Sequence, residues 1–284
     1  VESRQSKQGI FFHREDIWFG LQAYSRKEWI CNGLLRDWVT WQTSGRRYED
    51  RWSALVASLR RLSPSEETLE TGEPVKLLAT GDLEIPTIHL PYGEVPILHA
   101  SAGIQRAVAL AYILVWTWFR HIENSKLIRR EPQRRIVLII DEAEAHLHPR
   151  WQRAIVPSLM DAVSEIAPLV SPQIHLATHS PMIMASVEAV FNHEVDELHH
   201  LKLEGKNVTL EELPFVKRGR IDLWLMSDVF GLAHARSSQG EEAIEAAKHL
   251  QLQEEASEQQ VQQVNDRLMR HLAQDDDFWP RWRY

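Results

Sequence analysis

The sequence predicts an α/β protein with a doubly wound core, a helical insertion before that core and a helical extension after it. Two predicted strands carry this interpretation. Five aliphatic residues, 136–140, end in Asp141 and Glu142, and a second short strand ends at His179. Aliphatic runs of this length are typical of parallel strands that are buried between helices. An apolar run over 107–119 precedes both strands and predicts a long buried helix.

The chain is predicted to have three parts. Residues 1–90 form a helical lobe rich in tryptophan, 91–235 form the core, and 236–284 form a helical extension. We expect the tryptophans of the first part to be mainly core residues. Gly205 lies between two strand-like segments and predicts a hairpin. The tail of the extension has three acids followed by four aromatic side chains, and we expect it to dock in a groove on the same chain or on a partner.

The composition favours a protein of a reducing compartment, which we expect to be the cytoplasm. A single cysteine, Cys31, excludes a disulfide framework, and no amino-terminal signal pattern is present. The longest apolar run is too short to cross a bilayer, so no membrane partner is expected. A formal net charge of −8 excludes a surface that is basic throughout, but local clusters leave room for contact with nucleic acid. These clusters are Arg46/Arg47/Arg51, Arg60/Arg61, Arg129/Arg130/Arg134/Arg135 and Lys217/Arg218/Arg220.

Asp141 and Glu142 have the clearest chemistry in the sequence. Open α/β sheets bind their ligands at the carboxyl edge of the strands, which is where this pair is predicted to lie. Alternation along a strand aims the two side chains differently, so one carboxylate can serve a metal and the other a water molecule. We expect Asp141 to hold Mg²⁺, usually through water, and Glu142 to polarise the attacking water in nucleotide hydrolysis. An ordinary strand end is the alternative interpretation.

Ser101, Ala102 and Gly103 open the predicted apolar helix. Backbone N–H groups are unpaired at the start of a helix, and the helix dipole there favours phosphate. Ser101 can add a hydroxyl donor, and Gly103 lets a phosphate approach the backbone without a side chain in the way. The alternative is an N-cap serine in front of an ordinary core helix.

His179 is predicted at the end of the second strand, and Ser180-Pro181 start the next helix. A histidine at this edge can donate to a terminal phosphate and orient the attacking water. The alternative is a structural histidine whose hydrogen bonds are satisfied within the fold.

In this order, the Ser-x-Gly helix, the Asp-Glu strand and the Thr-His-Ser-Pro segment resemble the ATP-binding-cassette type of ATPase head, as found in RecF, SMC and OLD-nuclease-like ATPases. The resemblance covers about residues 90–200 and implies ATP and Mg²⁺ as cofactors. It implies nucleotide contacts from Ser101, Gly103, Gln105 and His148. It matches Ser101 and Gly103 to the signature motif, Asp141 and Glu142 to Walker B, residues 145–149 to the D-loop, and His179 to the switch histidine.

The sequence departs from this family pattern in two places. Ala102 stands where the signature has a glycine, and Gln105 comes one place late. The sequence also has no Gly-x-x-x-x-Gly-Lys-Ser/Thr segment, the Walker A loop that cradles the phosphates. Walker A precedes the signature in these heads, and the sequence starts at Val1 with a polar run over 2–8. We therefore expect an incomplete chain with Walker A further upstream. A degenerate head that binds ATP without cleaving it is the alternative.

The resemblance implies an ATPase in which two copies join head to tail and sandwich two ATP molecules. Ser101 and Gly103 of one subunit then meet the γ-phosphate bound by the other. Glu142 is the implied base, Asp141 the residue for Mg²⁺, and His179 the residue for the γ-phosphate and water. The compact head and the Asp-Glu-Ala-Glu-Ala-His-Leu-His-Pro motif look like the ATPase subunits of bacterial anti-phage systems of the Septu type, including those linked to retrons. This implies an ATP-driven switch that controls an associated nuclease.

Three alternative functions stay open. A RecF-like or SMC-like DNA-repair ATPase would bind DNA directly, and a non-hydrolysing scaffold would bind partners through its tryptophan-rich helices and its tail. His146 and His148, beside Asp141, Glu142 and Glu144, also suggest a Zn²⁺ or Mn²⁺ hydrolase. Against that third alternative, the segment Leu147-His148-Pro149, shortly after Asp141 and Glu142, matches the D-loop pattern of OLD-like ATPases.

Overall fold

The computed structural model describes residues 12–23, 28–64, 67–77, 81–232, 235–253 and 256–282. The chain divides into two compact units, Val1–Glu197 and Leu198–Tyr284. The polar run over 2–8 and the end of the aromatic tail, 283–284, lie outside the described residues. The three-part organisation expected from the sequence stays a prediction.

The first unit begins with a helical layer built around tryptophan. Trp18, Trp38 and Trp41 are buried, and the ring of Trp52 packs edge-to-face on Trp38 with 5.9 Å between ring centroids. The prediction that the tryptophans of this layer are mainly core residues is confirmed for these four, whereas Trp29 is 43% exposed. The layer consists of α1 (Arg14–Phe19), β1 (Leu21–Gln22), β2 (Trp29–Cys31), α2 (Leu34–Thr43) and α3 (Glu49–Leu62), with β1 antiparallel to β2.

Short antiparallel strands follow between residues 70 and 96, mostly within the part predicted as a helical lobe. Ile85 and Ile88 are fully buried and attach these strands to the core of the unit. The strands are β3 (Glu70–Thr71), β4 (Val75–Lys76), β5 (Glu84–Ile85), β6 (Thr87–Leu90) and β7 (Gly93–Pro96). They form a three-stranded sheet in the order β3-β6-β7 and a separate β4-β5 pair.

The central helix, α4 (Ala102–Leu127), is longer than the apolar run that predicted it. Its polar last turns are held by an ion pair between Glu123 and Arg51 of α3. By length and composition alone α4 could cross a membrane, a test that the core helix of a globular protein also passes. Its buried side chains pack in the core of the unit, and they include Ala107, Val108, Ala111, Tyr112, Leu114 and Val115.

Asp141 and His179 lie at or just after the ends of two paired parallel strands. β8 (Arg135–Asp141) and β9 (Ser171–Ala177) are in register from Arg135 opposite Ser171 to Asp141 opposite Ala177. The helices α5 (Pro149–Gln152) and α6 (Ile155–Ile166) connect the two strands, and α7 (Pro181–Val187) follows β9. Parallel strands joined through helices confirm the predicted α/β class.

Only one face of this strand pair is covered by the described residues. Ile136, Leu138 and Ile140 pack against the core, whereas Val137 and Ile139 are 54% and 82% exposed. Successive side chains of a strand point to opposite faces, so the aliphatic run has one packed side and one open side. The expectation that this strand is buried on both faces is therefore wrong for the described residues.

The second unit begins with the predicted hairpin. β10 (Leu198–Glu204) and β11 (Asn207–Leu213) pair along their whole length around Gly205, whose φ of 65° suits glycine. After α8 (Ile221–Leu225), the segment predicted as a helical extension contains a pair of packed helices. These are α9 (Ser238–Gln251) and α10 (Glu258–His271).

The aromatic tail docks on these two helices, as predicted for a groove on the same chain. Phe278 is buried in their shared core. Arg236 donates to both carboxylate oxygens of Asp276, at 2.8 and 2.9 Å, and so anchors the acidic part of the tail. The indole N–H of Trp279 donates to the backbone at 2.7 Å, and that of Trp282 donates to a side chain of α10 at 3.2 Å.

Candidate functional site

The predicted carboxylates and the predicted histidine lie on neighbouring strand ends. Asp141 is the last residue of β8, and Glu142 follows it. The N–H of Glu142 donates to the carbonyl oxygen of Ala177 at 3.0 Å, which fixes the end of β8 to the end of β9. Thr178 and His179 leave β9 at this same edge. Asp141, Glu142 and His179 are all exposed, so their side chains are available to a ligand.

Glu142 has a strained backbone. Its φ is 49°, in the left-handed region that favours glycine. A side chain there costs about 1–2 kcal/mol, and such strain persists where the surroundings hold the residue in place. Three hydrogen bonds do so here. The N–H of Glu142 donates to Ala177, and its carbonyl oxygen accepts from Arg106 Nη2 at 2.7 Å and from the N–H of Ala145 at 3.1 Å.

Arg106 connects α4 to the turn that follows β8. Its Nη2 binds the carbonyl oxygen of Glu142, and its Nη1 donates to the carbonyl oxygen of Ala145 at 3.1 Å. The guanidinium group is suited to this role because its donors form a rigid fork. The sequence analysis missed Arg106, although it is the only charged residue between 102 and 119 and therefore stood out in an apolar helix.

Gly103 lies against the same turn. A Cβ atom at this position would be 2.9 Å from the carbonyl oxygen of His146 and 3.7 Å from Cα of Leu147. The first turn of α4 therefore packs on the backbone of the predicted D-loop of its own chain. Close approach of a phosphate to Gly103 stays a prediction, and the structure adds a packing reason for a glycine here.

Ser101 is the N-cap of α4. Its side-chain oxygen accepts from the N–H of Ile104 at 3.4 Å, as the N-cap alternative expected. Ser101 is also exposed at the helix start. A phosphate contact from its hydroxyl stays a prediction.

Gln105 is engaged by its own chain. Its Nε2 donates to the carbonyl oxygens of Leu98 and Ala100 at 3.0 and 3.2 Å, and its Oε1 accepts from Arg14 Nη2 at 2.9 Å. Gln105 thus holds the segment that leads into α4. A nucleotide contact from Gln105 stays a prediction.

Glu144 joins the turn after β8 to the segment after β9. Its Oε1 accepts from Thr178 Oγ1 at 2.7 Å and from the N–H of His179 at 2.9 Å. Its Oε2 is buried and has no hydrogen-bond partner among the described residues. The carboxylate therefore sets the backbone position of His179. The sequence analysis named Glu144 only as a metal ligand and missed this contact.

Further contacts connect the predicted D-loop to the segment that starts α7. Ser180 caps α7, and its hydroxyl donates to Gln152 Oε1 at 3.0 Å. Gln152 Nε2 donates in turn to the carbonyl oxygen of Leu147 at 3.0 Å. His148 caps α5, where its Nδ1 accepts from the N–H of Arg150 at 3.3 Å. The nucleotide contact expected of His148 stays a prediction.

A buried polar cluster ties α4 to the helical layer. Tyr112 of α4 donates to Asp37 Oδ2 at 2.8 Å, Asn32 donates to Asp37 Oδ1 at 2.9 Å, and Cys31 Sγ lies 3.1 Å from the Tyr112 hydroxyl. Burial raises the pKa of Asp37 above its ordinary value, and burial and the nearby Asp37 carboxylate raise the pKa of Tyr112. The cluster fixes the position of the helix that carries Gly103 and Arg106.

The donor set suits Mg²⁺ better than a dedicated zinc or manganese centre. Among the residues that the structure describes, no three His, Cys, Asp or Glu side chains converge on a metal position, so His146 and His148 do not form the alternative metal site. Mg²⁺ keeps several waters and is commonly bound through one or two carboxylates together with substrate phosphates. The exposed carboxylates of Asp141 and Glu142 at the strand edge fit that requirement.

Several proteins of known type are similar to the chain. They include "Retron Ec83 probable ATPase" of Escherichia coli, 26% identical over 50% of this chain and 23% of the relative. "Retron Vc95 probable ATPase" of Vibrio cholerae serotype O1 biovar El Tor is 24% identical over 75% of this chain and 39% of the relative. "Septu protein PtuA" of Bacillus thuringiensis is 26% identical over 81% of this chain and 54% of the relative. The chain thus spans only part of each relative, and the resemblance to Septu and retron ATPases predicted from the motifs is confirmed.

The solved structures that are similar to this chain include SMC ATPases. One comes from work on ATP-driven dimerisation and DNA-stimulated activation of SMC ATPases, with a TM-score of 0.39 and 14% identity over 62% of this chain and 90% of that chain. Another is an Smc head bound to the C-terminal winged-helix domain of ScpA, with a TM-score of 0.36 and 15% identity over 59% of this chain and 43% of that chain. TM-scores this low support no inference about function.

The matched family covers most of α2, all of α3, the short antiparallel strands, α4, the strand pair with its connecting helices, and most of α7. Its match extends over residues 36–185, which is more than half of the chain and includes every contact of the candidate site around Arg106, Glu142, Glu144 and His179. The chain therefore belongs to the family described as "AAA domain, putative AbiEii toxin, Type IV TA system".

Proposed function

We propose that the chain is the ATP-binding and ATP-hydrolysing part of a switch subunit in an anti-phage defence complex, where it controls an associated nuclease. The ATPase assignment rests on one observation: Asp141, Glu142 and His179 lie at the same edge of the parallel strand pair. Arg106 and Glu144 hold the backbone of Glu142 and His179 there through hydrogen bonds. Membership of an AAA-domain family and similarity to two retron probable ATPases and a Septu protein support it.

Asp141 and Glu142 divide the chemistry of hydrolysis. Asp141 would hold Mg²⁺ through water, and the ion would neutralise charge on the β- and γ-phosphates. Glu142 accepts a proton from the attacking water as it approaches the γ-phosphate. The left-handed φ of Glu142 ends the extended backbone directly after Asp141.

Glu144 is a positioning residue for His179. Its Oε1 binds both the Thr178 hydroxyl and the N–H of His179, so the backbone of His179 has one defined place relative to Glu142. From this position the imidazole can donate to the γ-phosphate and orient the water. The unpartnered, buried Oε2 makes Glu144 sensitive to any change in this turn.

Arg106 and Gly103 couple the start of α4 to the catalytic turn. In the proposed dimer, Ser101 and Gly103 of one copy meet the γ-phosphate bound by the other. A displacement of α4 on dimerisation then reaches Glu142 and Ala145 through the two hydrogen bonds of Arg106. This contact provides a physical route by which dimerisation adjusts the catalytic base.

The open face of β8 and β9 is the place where we expect a phosphate-binding lobe to pack. Val137 and Ile139 expose aliphatic surface there, beside the strand that ends in Asp141. A lobe with a Walker A loop on this face would bring its lysine and backbone N–H groups to the same edge as the carboxylates. Control of a nuclease rests on the resemblance to Septu-type and retron-linked ATPases, and action in the cytoplasm rests on the single cysteine.

Dimer trapping tests the proposal. In the full-length protein with ATP, Glu142→Gln should bind nucleotide without cleaving it and should elute as a dimer, while the wild type cycles back to monomer. Glu211→Gln, an exposed position on the hairpin, is the matched control and should behave as wild type. A Glu142→Gln protein that stays monomeric in ATP contradicts the proposed sandwich. If neither the wild type nor Glu142→Gln binds ATP, the scaffold is favoured. If the wild type binds duplex DNA without ATP, a repair ATPase is favoured.

A further inference from the structure

The edge of the sheet opposite the candidate site carries an unusual surface. Because β8 and β9 are parallel, the connection from α4 to β8 and the connection from α6 to β9 meet at their amino ends. The N–H of Ser171 donates to the carbonyl oxygen of Arg134 at 3.2 Å, which joins these two connections. We call residues 126–135 together with Leu169 the amino-edge surface.

Positive charge on the amino-edge surface is not neutralised. It contains five cationic side chains and one acid, Glu131, and all of them are exposed. None of the five forms an ion pair or a side-chain hydrogen bond within the described part of the chain, whereas Arg51, Arg61 and Arg150 of the same unit all pair with glutamates. The five cations are Lys126, Arg129, Arg130, Arg134 and Arg135.

Aliphatic side chains are exposed among these cations. Leu127, Ile128 and Leu169 are 80%, 63% and 76% exposed. Single exposed leucines are ordinary, but Leu127 and Ile128 directly follow Lys126 along the chain, and Leu169 lies two residues before Ser171. Because the N–H of Ser171 binds Arg134, exposed aliphatic side chains and cations occur together in these two joined connections. Arginine around an apolar centre is the composition of protein–protein interfaces.

The surface is ordered before any partner arrives. The N–H groups of Arg129 and Arg130 bind the carbonyl oxygens of Lys126 and Ser125 at 3.1 and 2.9 Å, and Arg129 has a left-handed φ of 52°. The N–H of Gln133 donates to His121 Nε2 at 2.9 Å and pins the rest of the connection to α4. A connection held this way loses little conformational entropy on binding.

We propose that the amino-edge surface is a docking site for a protein partner that presents acidic side chains around an apolar anchor. The unpaired cations favour a partner with negative charge, and the three exposed aliphatic side chains favour one with an apolar anchor. Nucleic acid supplies the charge but offers a polar, wet interface that leaves the aliphatic side chains uncovered. The site lies at the strand edge away from Asp141 and His179, so a partner can bind there while ATP and a second copy occupy the other edge.

A binding experiment with a defined probe tests this inference without any requirement for ATP turnover. The probe is a fluorescein-labelled peptide that alternates glutamate and leucine, titrated with the full-length protein and followed by anisotropy. The triple variant Arg129→Glu/Arg130→Glu/Arg134→Glu should weaken binding by about tenfold or more, and so should Leu127→Ser/Ile128→Ser. The matched control Arg46→Glu/Arg47→Glu/Arg60→Glu changes the same number of exposed charges elsewhere and should bind as wild type.

Two comparison probes decide the class of partner. Duplex DNA and phosphatidylserine vesicles should bind the wild type and the triple variant equally. The inference is overturned if the peptide with lysine in place of glutamate binds as well, or if the control variant loses as much affinity. It is also overturned if DNA or vesicles, and not the peptide, depend on the amino-edge surface. ATP turnover measured in the same variants separates failure of this docking site from failure of the proposed ATPase.

Discussion

Arg106 Nη2 lies 2.7 Å from the carbonyl oxygen of Glu142, and this hydrogen bond joins the first turns of α4 to the proposed catalytic base. The second hydrogen bond of the same guanidinium, to Ala145 at 3.1 Å, extends the contact into the predicted D-loop. A helix that is proposed to contact the partner's nucleotide is thus connected directly to the residue that activates water. The predictions below follow from this contact and from its neighbours.

Removal of the guanidinium should loosen the catalytic turn. Arg106→Ala deletes two hydrogen bonds from a cation, and we expect the free energy of unfolding to fall by about 1–2 kcal/mol. ATP turnover should fall by about tenfold or more, because the carbonyl oxygen of Glu142 loses the shorter of its two hydrogen bonds and keeps only the one from the N–H of Ala145. Arg106→Lys can satisfy only one carbonyl and should be intermediate. Arg153→Ala, at an exposed arginine shortly after the predicted D-loop, is the control, and an equal loss of turnover in that control would contradict the coupling.

Gly103→Ala should reverse the usual effect of this substitution in a helix. Alanine normally stabilises a helix relative to glycine by about 1 kcal/mol. Here the new Cβ would lie 2.9 Å from the carbonyl oxygen of His146, so α4 or the turn must move. We expect a net destabilisation of about 1–3 kcal/mol, measured by denaturant unfolding. A rise in stability would mean that α4 does not pack on the turn as described.

Replacement of Glu144 should act through His179. Glu144→Ala removes the acceptor for the Thr178 hydroxyl and the N–H of His179, and we expect turnover to fall while the affinity for ATP changes little. Glu144→Gln keeps an oxygen acceptor and should restore most of the turnover. A double-mutant cycle of Glu144→Ala with Thr178→Val should give a coupling energy of about 1–2 kcal/mol in stability. Additive effects, or a loss of ATP affinity equal to the loss of turnover, would rule out a positioning role.

The buried Asp37 should give stability a measurable dependence on pH. Its pKa is raised in the folded protein, so the folded state binds a proton more readily than the unfolded chain. The contribution of Asp37 to stability is therefore full below the ordinary pKa of 3.8 and is lost as the pH rises through the raised value. The melting temperature of the wild type, relative to Asp37→Asn, should fall as the pH rises above 3.8.

Asp276 provides the control of opposite sign for that experiment. Its pKa is lowered by the hydrogen bonds from Arg236, so its contribution is present at neutral pH and is lost as the pH falls through the lowered value. Wild type relative to Asp276→Asn should therefore lose stability toward acid. Equal slopes for the two variants would show that the burial of Asp37 does not govern the pH dependence.

The sequence predicted the strand edge well because parallel strands bring their carboxyl ends together. Two strand-like runs were enough to place Asp141, Glu142 and His179 at one edge. The order of the motifs along the chain indicated the type of ATPase. The aromatic tail was expected to dock in a groove of the same chain or of a partner, since a dense aromatic tail has a large apolar surface to bury. The structure places Phe278 in a groove of its own chain.

The contacts that hold the site could not be predicted in this way. Arg106 binds backbone carbonyls, and the positions of those carbonyls depend on the left-handed φ of Glu142, which no local pattern encodes. The role of Glu144 likewise depends on tertiary structure, because its carboxylate binds Thr178 and His179, which come after β9. The open face of β8 was also missed, because an aliphatic run indicates that a strand can be buried and does not indicate which neighbours cover it.

ATP turnover by the full-length protein and by its Glu142→Gln form tests the central claim most directly. The account predicts that the wild type releases inorganic phosphate from ATP in the presence of Mg²⁺ and that Glu142→Gln abolishes this release while ATP binding persists. The Glu211→Gln control should release phosphate at the wild-type rate. Unchanged phosphate release in Glu142→Gln would contradict the assignment of the base and, with it, the assignment of this strand edge as the site of hydrolysis.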